Sequence, residues 1–310
     1  MRGLHRYLVV AMLAHLHVIA TWAPAHGQDS VTPQAESAWR VTASVTPVYQ
    51  GSADIDGGGS YRTGGVLVRV GASGPIQGRL RGGVVFSYDY RDSHFETPTV
   101  FGNAAPWEAV QRFGLAVPLS VGLADGWSVG LTPSLDSFRE DAASWGSSLT
   151  YGGTLTATKT LSGGSRIGLG GGIYGGLNKL TGFPLLVVDL RLTERLRLAN
   201  PLTAGPTGPA GLELSYRFDG GWTLGVAGAY RAYRFRLNEV GPFPNGIGEE
   251  RTVPLVVHLA KSLGAAVTVD LYAGAAVGGR LRVEDSGGHK IAAADFDPAP
   301  IVALTVSGRF

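Results

Sequence analysis

The sequence predicts an all-β protein, a transmembrane antiparallel up-and-down β-barrel of about fourteen strands. Large apolar residues alternate with small or polar residues over long runs, as in strands that have one apolar face. Short and long connections alternate between these runs, as they do at the two ends of an outer-membrane barrel. The composition fits as well, because 47 of the 310 residues are glycine and only 16% are charged, which is too apolar for a disordered chain.

The first 27 residues have the three parts of a secretory signal peptide. Two arginines precede an apolar run that starts at Tyr7, and small residues follow this run up to a cleavage site near Gly27. An N-terminal membrane anchor is the alternative, but the run is shorter than the roughly 20 residues of a spanning helix. The chain therefore divides into a signal peptide 1–27, a short polar N-terminal segment 28–37 and an outer-membrane β-barrel 38–310.

Charge and cysteine content narrow the classes of function. Cleavage near Gly27 removes two of the 26 basic residues and no acidic ones, which leaves 24 basic against 24 acidic residues. A nearly neutral chain does not support a basic surface for nucleic acid, so no nucleic-acid partner is predicted. The chain has no cysteine and few histidines, so we predict no disulfide, no metal site and no cofactor.

The alternation is clearest at residues 113–123, where every odd position is large and apolar and every even position is small or polar. A soluble β-sandwich also alternates, but its strands are usually about 5–6 residues long, whereas strands that cross a membrane need about 9–11 residues. The length of these runs therefore favours a membrane-spanning barrel. The same period of two recurs at residues 39–46, 127–131, 149–156, 222–227, 267–272 and 302–310.

The connections between the runs are of two kinds, and turn residues mark both. Together they define about fourteen strands, with twelve as the alternative, because residues 183–200 fit either one bent hairpin or two irregular segments. The short connections, which are rich in Gly and Asp, are 124–126, 161–164, 193–195, 219–221 and 262–264. The long connections are 51–60, 91–107, 139–146, 201–209, 237–250 and 281–297.

Aromatic residues fall near the ends of the apolar faces, where a barrel wall passes from hydrocarbon to lipid headgroups. Ordinary aromatic packing is the alternative, but the placement repeats in several strands and so favours two aromatic girdles. Tryptophans stand beside short turns or the N-terminus, and tyrosines lie toward the long loops: Trp39, Trp127, Trp222 and Tyr49, Tyr88, Tyr90, Tyr230.

The chain ends on an alternating run in which Val302, Leu304, Val306 and the last residue, Phe310, share one parity. With the signal peptide, the alternating strands and the two kinds of connection, this end resembles the outer-membrane β-barrel proteins of Gram-negative bacteria over essentially the whole mature chain. The resemblance implies an outer-membrane location, contact with outer-membrane lipid, and recognition of the last strand by the barrel assembly machinery, with Phe310 as the assembly signal. The stretch 191–209 further resembles a family of such proteins with no assigned activity.

If the apolar parity faces lipid, the other parity lines the lumen, and several strands then place charge there. Two interpretations compete: a structural network, in which arginines and acids pair across neighbouring strands, and a selectivity lining, in which the excess of arginine favours anionic solutes. Acids on the same strands as the arginines favour the structural network. The predicted lumen-lining residues are Arg79, Arg81, Asp189, Arg191, Arg195, Arg197, Glu213, Arg217, Arg231 and Asp270.

Catalytic motifs are poor. The stretch 170–175 fits G-x-G-x-x-G by letter, but it lies within a strand, where close-packed glycines explain it better than a phosphate-binding turn. One cluster at the loop end of a strand, Asp89, Asp92 and His94, has the residue types that outer-membrane proteases and lipid-modifying barrels use. A solvated loop is the simpler explanation of that cluster, because no second group for catalysis can be identified by spacing.

The sequence thus leads to a functional hypothesis with two alternatives. The hypothesis is a porin-like channel or transport protein for small solutes, with a polar lumen, and not an enzyme. The first alternative is an outer-membrane enzyme, a hydrolase or lipid-modifying protein, at the extracellular rim. The second is a structural or surface-interaction barrel whose lumen is closed by loops that fold inward.

Overall fold

The structure is a computed structural model that describes residues 39–201, 205–207 and 210–310. The predicted signal peptide 1–27 and the polar segment 28–37 lie outside the described residues, so these boundaries stay predictions. The strands are β1 (Arg40–Asp54), β2 (Ser60–Gln77), β3 (Leu80–Glu96), β4 (Ala109–Ala116), β5 (Leu119–Gly122), β6 (Trp127–Glu140), β7 (Leu149–Thr160), β8 (Arg166–Gly176), β9 (Lys179–Arg191), β10 (Leu196–Ala199), β11 (Gly211–Arg217), β12 (Trp222–Ala229), β13 (Arg231–Arg236), β14 (Ile247–Leu263), β15 (Val267–Glu284), β16 (Lys290–Phe296) and β17 (Ala299–Arg309).

The seventeen strands form one closed sheet with fourteen positions around its wall. Three positions hold two segments each, because β4 and β5 both pair with β3, β12 and β13 both pair with β14, and β16 and β17 both pair with β15. Two of the breaks lie at Pro118 and Pro298, where proline has no N–H for the ladder. The prediction of about fourteen strands is confirmed, and the alternative of twelve is wrong, because β9 and β10 are separate, paired strands.

The first and last strands close the barrel. β1 pairs antiparallel with β17 in a register that sets Val45 opposite Val306, and the backbones of Val41 and Phe310 exchange two hydrogen bonds of 2.9 and 3.0 Å. Closure removes both sheet edges, which is what a sheet must do to stand in lipid. The side chain of Phe310 is 74% exposed and has the outward parity of Val302 and Leu304.

The outer surface is apolar. Large side chains of one parity, such as Leu155, Leu169 and Ile173, are more than half exposed on the outside of the wall, and only a lipid environment makes that arrangement favourable. At the end with the short turns, Lys159 Nζ lies 5.4 Å above the Trp127 ring and Lys261 Nζ lies 4.8 Å above the Trp222 ring, as in an interfacial girdle. The exterior is therefore that of an outer-membrane β-barrel, with the short turns and both ends of the sheet on the periplasmic side.

Several loop boundaries differ from the predicted ones because strands continue beyond the membrane as hairpins. β3 continues to Glu96, the first residues of β14 lie inside the predicted loop 237–250, and β16 lies inside the predicted loop 281–297. The turn between β8 and β9 was not predicted. It consists of Leu177 and Asn178, both with positive φ (48° and 59°), which is the geometry of a tight hairpin turn.

Helices are minor. α1 (Trp145–Ser148) has four residues, and single 3₁₀ turns lie at Thr99–Phe101, Ala124–Gly126 and Asp219–Gly221. Across residues 39–201, 205–207 and 210–310, no helix is long and apolar enough to cross a membrane.

Candidate functional site: a closed extracellular mouth above a polar lumen

At the extracellular end, β13 leaves the wall and crosses to the opposite side of the barrel. Below it, β12 pairs with both β11 and β14, but after Tyr230 the chain keeps only β14 as its antiparallel partner. The last residue of β13, Arg236, forms a parallel bridge with Arg139 of β6. Five wall strands, β7 to β11, are thereby bypassed. The upper parts of β1–β4, β6 and β13–β16 form a smaller closed ring, which we call the inner ring.

The inner ring is filled with apolar and aromatic side chains. Trp107 stands edge-on to Phe235 at 5.1 Å and to Phe95 at 5.4 Å, and Phe138 packs against Phe235 at 5.3 Å. Such close, tilted ring pairs add to the free energy gained by burying their large apolar surfaces. The buried members of this cluster are Ala53, Ile55, Tyr61, Phe101, Trp107, Val110, Phe138, Tyr233, Phe235, Leu237, Leu281, Val283, Ala294, Phe296 and Ala299.

Glu140 fastens the free end of β13. Its two carboxylate oxygens accept backbone N–H groups from two loops, Oε1 from Glu108 at 3.0 Å and Oε2 from Asn238 at 2.8 Å. Asn238 also accepts the N–H of Ala142 at 3.1 Å through its side-chain oxygen. The residue that ends β6 therefore joins three extracellular segments at the point where β13 reaches β6.

The outer face of β13 carries a buried ion cluster, which fills the space between the inner ring and the bypassed strands. Arg234 contacts Glu249 Oε2 at 3.2 Å and Glu284 Oε2 at 2.6 Å, and it donates to the carbonyl oxygen of Leu177 in the β8–β9 turn at 3.2 Å. Arg251 pairs with Glu249, and Arg282 Nη2 lies 2.7 Å from Glu284 Oε1. Arg234, Glu249 and Glu284 are each at most 6% exposed. The mouth is closed on both faces of β13.

A second charged cluster lies lower, on the inner face of β3, β4 and β6. Arg112 donates from Nε and Nη2 to Asp136 Oδ1 at 3.0 and 2.8 Å, and from Nη1 to Asp89 Oδ2 at 3.2 Å. The single guanidinium of Arg112 thus pairs with both carboxylates across adjacent strands. Pairing of this kind is what allows charge to stay inside a barrel.

A third cluster places His258 of β14 between two carboxylates. Its Nε2 is 2.8 Å from Asp270 Oδ1 and its Nδ1 is 3.3 Å from Glu213 Oε1, while its ring stacks on Tyr272 at 4.6 Å. Glu213 reaches across β12 because Gly225 lies between them, and a Cβ at Gly225 would be 3.3 Å from Glu213 Oε1. This contact gives the physical reason for a glycine at position 225.

The opposite side of the lumen has a different inner face. On β7 and β8 the inward positions are threonine or glycine except for Tyr174 and Arg166, and most of them are partly exposed to solvent. Tyr174 and Phe183 form one stacked pair there, with ring centroids 5.9 Å apart, and Gly172 makes room for it, since its Cβ would lie 2.5 Å from Phe183 Cζ. The accessible inward residues on these strands are Thr150, Gly152, Thr156, Thr158, Gly168 and Gly170.

The predicted lumen-lining residues are distributed over the lumen and its periplasmic rim. Asp189 pairs with Arg197 at 2.7 Å and Arg166 at 3.5 Å, while Glu213 and Asp270 both pair with His258. Arg231 is buried under the inner ring, where Nη1 donates to the carbonyl oxygen of Pro206 at 2.6 Å. The other predicted residues lie in or beside periplasmic turns and are exposed: Arg79, Arg81, Arg191, Arg195 and Arg217.

The structure separates the three candidate catalytic residues. Asp89 faces inward, is 1% exposed and pairs with Arg112. Asp92 and His94 have the opposite parity and are exposed on the outer face of β3, where His94 lies 3.9 Å from Glu96. A strand places consecutive parities on opposite faces, so Asp89 and His94 stand on different sides of the wall. Within the described ranges, no group of three or more His, Asp or Glu residues could hold a metal ion.

Sequence reasoning missed the residues that close the mouth, above all Arg234, Glu249, Glu284 and Phe235. A signal for them was present. In Arg231–Arg236 both parities carry large charged or aromatic side chains, and a strand that is bulky on both faces has no lipid-facing side.

Beyond the strands, the extracellular turn 285–289 is ordered by Asp285, whose pKa is lowered chiefly by the backbone N–H of His289.

Comparison with known proteins yields structural neighbours alone. No protein-family model and no curated protein matches the chain. An outer membrane channel from Pseudomonas putida F1 is 12% identical at a TM-score of 0.44, over 91% of this chain and 100% of that one. A Pseudomonas aeruginosa FadL homologue is 12% identical at 0.43, over 87% and 89%.

The translocator domain of the autotransporter NalP from Neisseria meningitidis is 11% identical at a TM-score of 0.37, over 88% of each chain. Because all three TM-scores lie below 0.5, nothing about the activity of this chain follows from these similarities.

Proposed function

We propose that this protein is an outer-membrane channel for small solutes whose extracellular mouth is held closed by β13. The observation that carries the proposal is the path of β13, which leaves its own wall position and bridges to β6 through one residue pair, Arg236 and Arg139. A strand that only completed the wall would stay beside β11. Movement of this one strand would open the mouth and leave the fourteen-position wall intact.

The lumen below β13 has the properties of a solute path. Acids of the lumen are held in ion pairs with Arg112 and His258, and the inner faces of β7 and β8 present mostly small, partly exposed residues. These faces continue to the periplasmic rim. Small solutes are therefore the substrate class that this lumen suits, and no observation favours a reaction within it.

A barrel permanently closed at its mouth, with a structural or surface role, is the second candidate function. The buried aromatic cluster of the inner ring favours it, because a filled core of this size is costly to take apart. The two candidates differ in whether β13 moves. Solute flux through the reconstituted protein decides between them.

A disulfide lock tests the proposal, since the chain has no cysteine of its own. The variant Arg139→Cys with Arg236→Cys joins the two register partners at the end of β13. We expect solute flux into proteoliposomes to fall to the background of empty vesicles when the variant is oxidised, and to return on reduction. The matched control is Ser44→Cys with Ser307→Cys, register partners in the β1–β17 seam, where oxidation should leave the flux unchanged.

Equal flux in the oxidised and reduced lock would contradict β13 as the gate. If solute flux through both the wild type and the reduced lock equals that of empty vesicles, the proposal of a channel is contradicted and the permanently closed barrel is favoured.

A further inference from the structure

A small cavity lies directly beneath the inner ring, between β1, β2, β3 and β13. It is lined by Val48, Gln50, Thr63, Gly64, Arg91 and Arg231. Two of these side chains, Arg91 and Arg231, stack against the same Tyr233 ring of the inner ring, at 4.2 and 5.1 Å from its centroid. Both arginines are thus in contact with the underside of the closed mouth.

The polar atoms around this cavity are poorly matched by the protein. Gln50 is 1% exposed, and neither its Nε2 nor its Oε1 has a hydrogen-bond partner among the described residues. Arg231 is 3% exposed, and its Nε has none, although its Nη1 donates to Pro206. Thr252, the register partner of Arg231 on β14, is 1% exposed and its hydroxyl has none either.

Such a concentration of unmatched atoms has a direct energetic meaning. A buried donor or acceptor left without a partner is destabilising, and here four such atoms belong to three neighbouring side chains. Unmatched atoms occur elsewhere in the lumen as well, such as Asp89 Oδ1 and Asp270 Oδ2, but those two side chains are held through their other oxygen in ion pairs with Arg112 and His258. The site beneath the inner ring differs in that neither polar atom of the buried Gln50 side chain has a partner among the described residues, which leaves both of them for a contact with something other than the protein.

The charge of the site selects the kind of ligand. The guanidinium groups of Arg91 and Arg231 face a single carboxylate, that of Glu250, whose Oε1 accepts from Arg91 at 3.1 Å and whose Oε2 accepts from the Tyr61 hydroxyl at 2.9 Å. Among the described residues, Arg231 therefore has no carboxylate of its own within ion-pair distance. The unmatched Nε2 of Gln50 and Nε of Arg231 are both donors, so they require an acceptor. A small anion satisfies both conditions, whereas Gln50 Oε1, an acceptor, needs a donor that the anion does not supply.

We propose that Gln50, Arg231 and Thr252 form a binding site for a small monovalent anion, either a halide or the carboxylate group of a solute. The inference rests on the proposed channel, because an anion would reach the cavity through the lumen. It goes beyond that proposal by naming the chemical class that the lumen binds. Bound at the underside of β13, the anion would contact Arg231 on the very strand that closes the mouth.

Anomalous scattering from two bromine-containing probes tests the site in crystals of the full chain. One crystal is soaked in sodium bromide and another in sodium 4-bromobenzoate. In the bromide crystal, we expect a bromide within about 3.5 Å of Gln50 Nε2 and Arg231 Nε. Alternatively, in the 4-bromobenzoate crystal, we expect the carboxylate at the same atoms, with its bromine toward the lumen. The first result identifies an inorganic anion as the ligand and the second a solute carboxylate. A water molecule in the cavity in both crystals, or bromine at the protein surface alone, would overturn the proposal.

A pair of matched variants makes the test quantitative. Gln50→Leu removes the unmatched amide at nearly constant volume, and Gln111→Leu makes the same change at a residue that pairs with Asp141 outside the cavity. The melting temperature of each variant is measured against the concentration of the probe that binds in the crystals. We expect the dissociation constant of that probe to rise at least tenfold in Gln50→Leu and to stay within twofold of the wild-type value in Gln111→Leu. Equal affinities in the two variants would contradict the site. Anion binding and disulfide-locked flux are measured separately, so either proposal can fail without the other.

Discussion

The two sides of the lumen share one strand pattern but differ in what their inner faces carry. On the β13 side, the inward and upper positions of β1–β4, β6 and β13–β16 hold aromatic rings and paired charges, and nearly all of them are buried. On the β7–β8 side the inward positions are mostly glycine and threonine, and most remain accessible. The same period of two therefore builds a filled half and an open half.

The difference shows that side-chain volume, and not the number of strands, decides where this barrel is closed. A sheet with fourteen positions is wide enough to leave a water-filled interior. One strand turned inward divides that width, and residues such as Phe235 and Arg234 then fill the space on its two faces. The half without such residues stays open to the periplasmic side.

The largest expected effect comes from breaking the buried ion cluster on the filled side. Arg234→Met leaves Glu249 and Glu284 without a shared partner, and removal of one member of a buried ion network costs about 3 kcal/mol. Unfolding in urea, with the protein in lipid vesicles, measures the free energy of unfolding. The matched control is Arg280→Met, which breaks an exposed pair with Asp295 and should cost less than about 1 kcal/mol. Similar losses in the two variants would show that the cluster does not hold the mouth.

A smaller effect is expected on the open side, at the stacked pair of Tyr174 and Phe183. Gly172→Ala would set a Cβ 2.5 Å from Phe183 Cζ and displace that ring from Tyr174, at a cost of about 1–3 kcal/mol. The neighbouring Gly171→Ala points outward and meets only Phe183 O at 3.4 Å. The free energy of unfolding should therefore change less than half as much in Gly171→Ala as in Gly172→Ala. Equal changes would mean that the Phe183 ring is free to shift.

The smallest effect, and the most local, concerns the end of β13. Glu140→Ala removes the acceptor of the Asn238 and Glu108 N–H groups. We expect these two amides to exchange with deuterium about tenfold faster, which corresponds to a loss of roughly 1.4 kcal/mol of local stability. Glu108→Ala makes the same change of charge but keeps its backbone N–H, so exchange at Asn238 should stay as in the wild type. If both variants exchange alike, the Glu140 carboxylate does not fasten β13.

The sequence was sufficient for the wall and insufficient for the mouth. The alternation at residues such as Phe113, Leu115 and Val117 is a local property of each strand, so it predicted the barrel and its lipid-facing parity. The path of β13 depends on contacts between residues far apart in the chain, such as Trp107 with Phe235 and Arg234 with Glu284. No spacing rule relates these pairs. The same holds for Asp89 and His94, which are close in the chain but lie on opposite faces of β3.

The most direct test of the closed mouth is the accessibility of one residue from the two sides of the membrane. Thr156→Cys places the chain's sole thiol on the inner face of β7, and a charged, membrane-impermeant thiol reagent is added to oriented proteoliposomes from either side. Thr305→Cys, at an inward threonine that is 0% exposed, serves as the buried control and should react slowly from both sides.

We predict that the thiol at position 156 reacts at least tenfold faster from the periplasmic side than from the extracellular side. Equal rates from the two sides would contradict a mouth closed by β13.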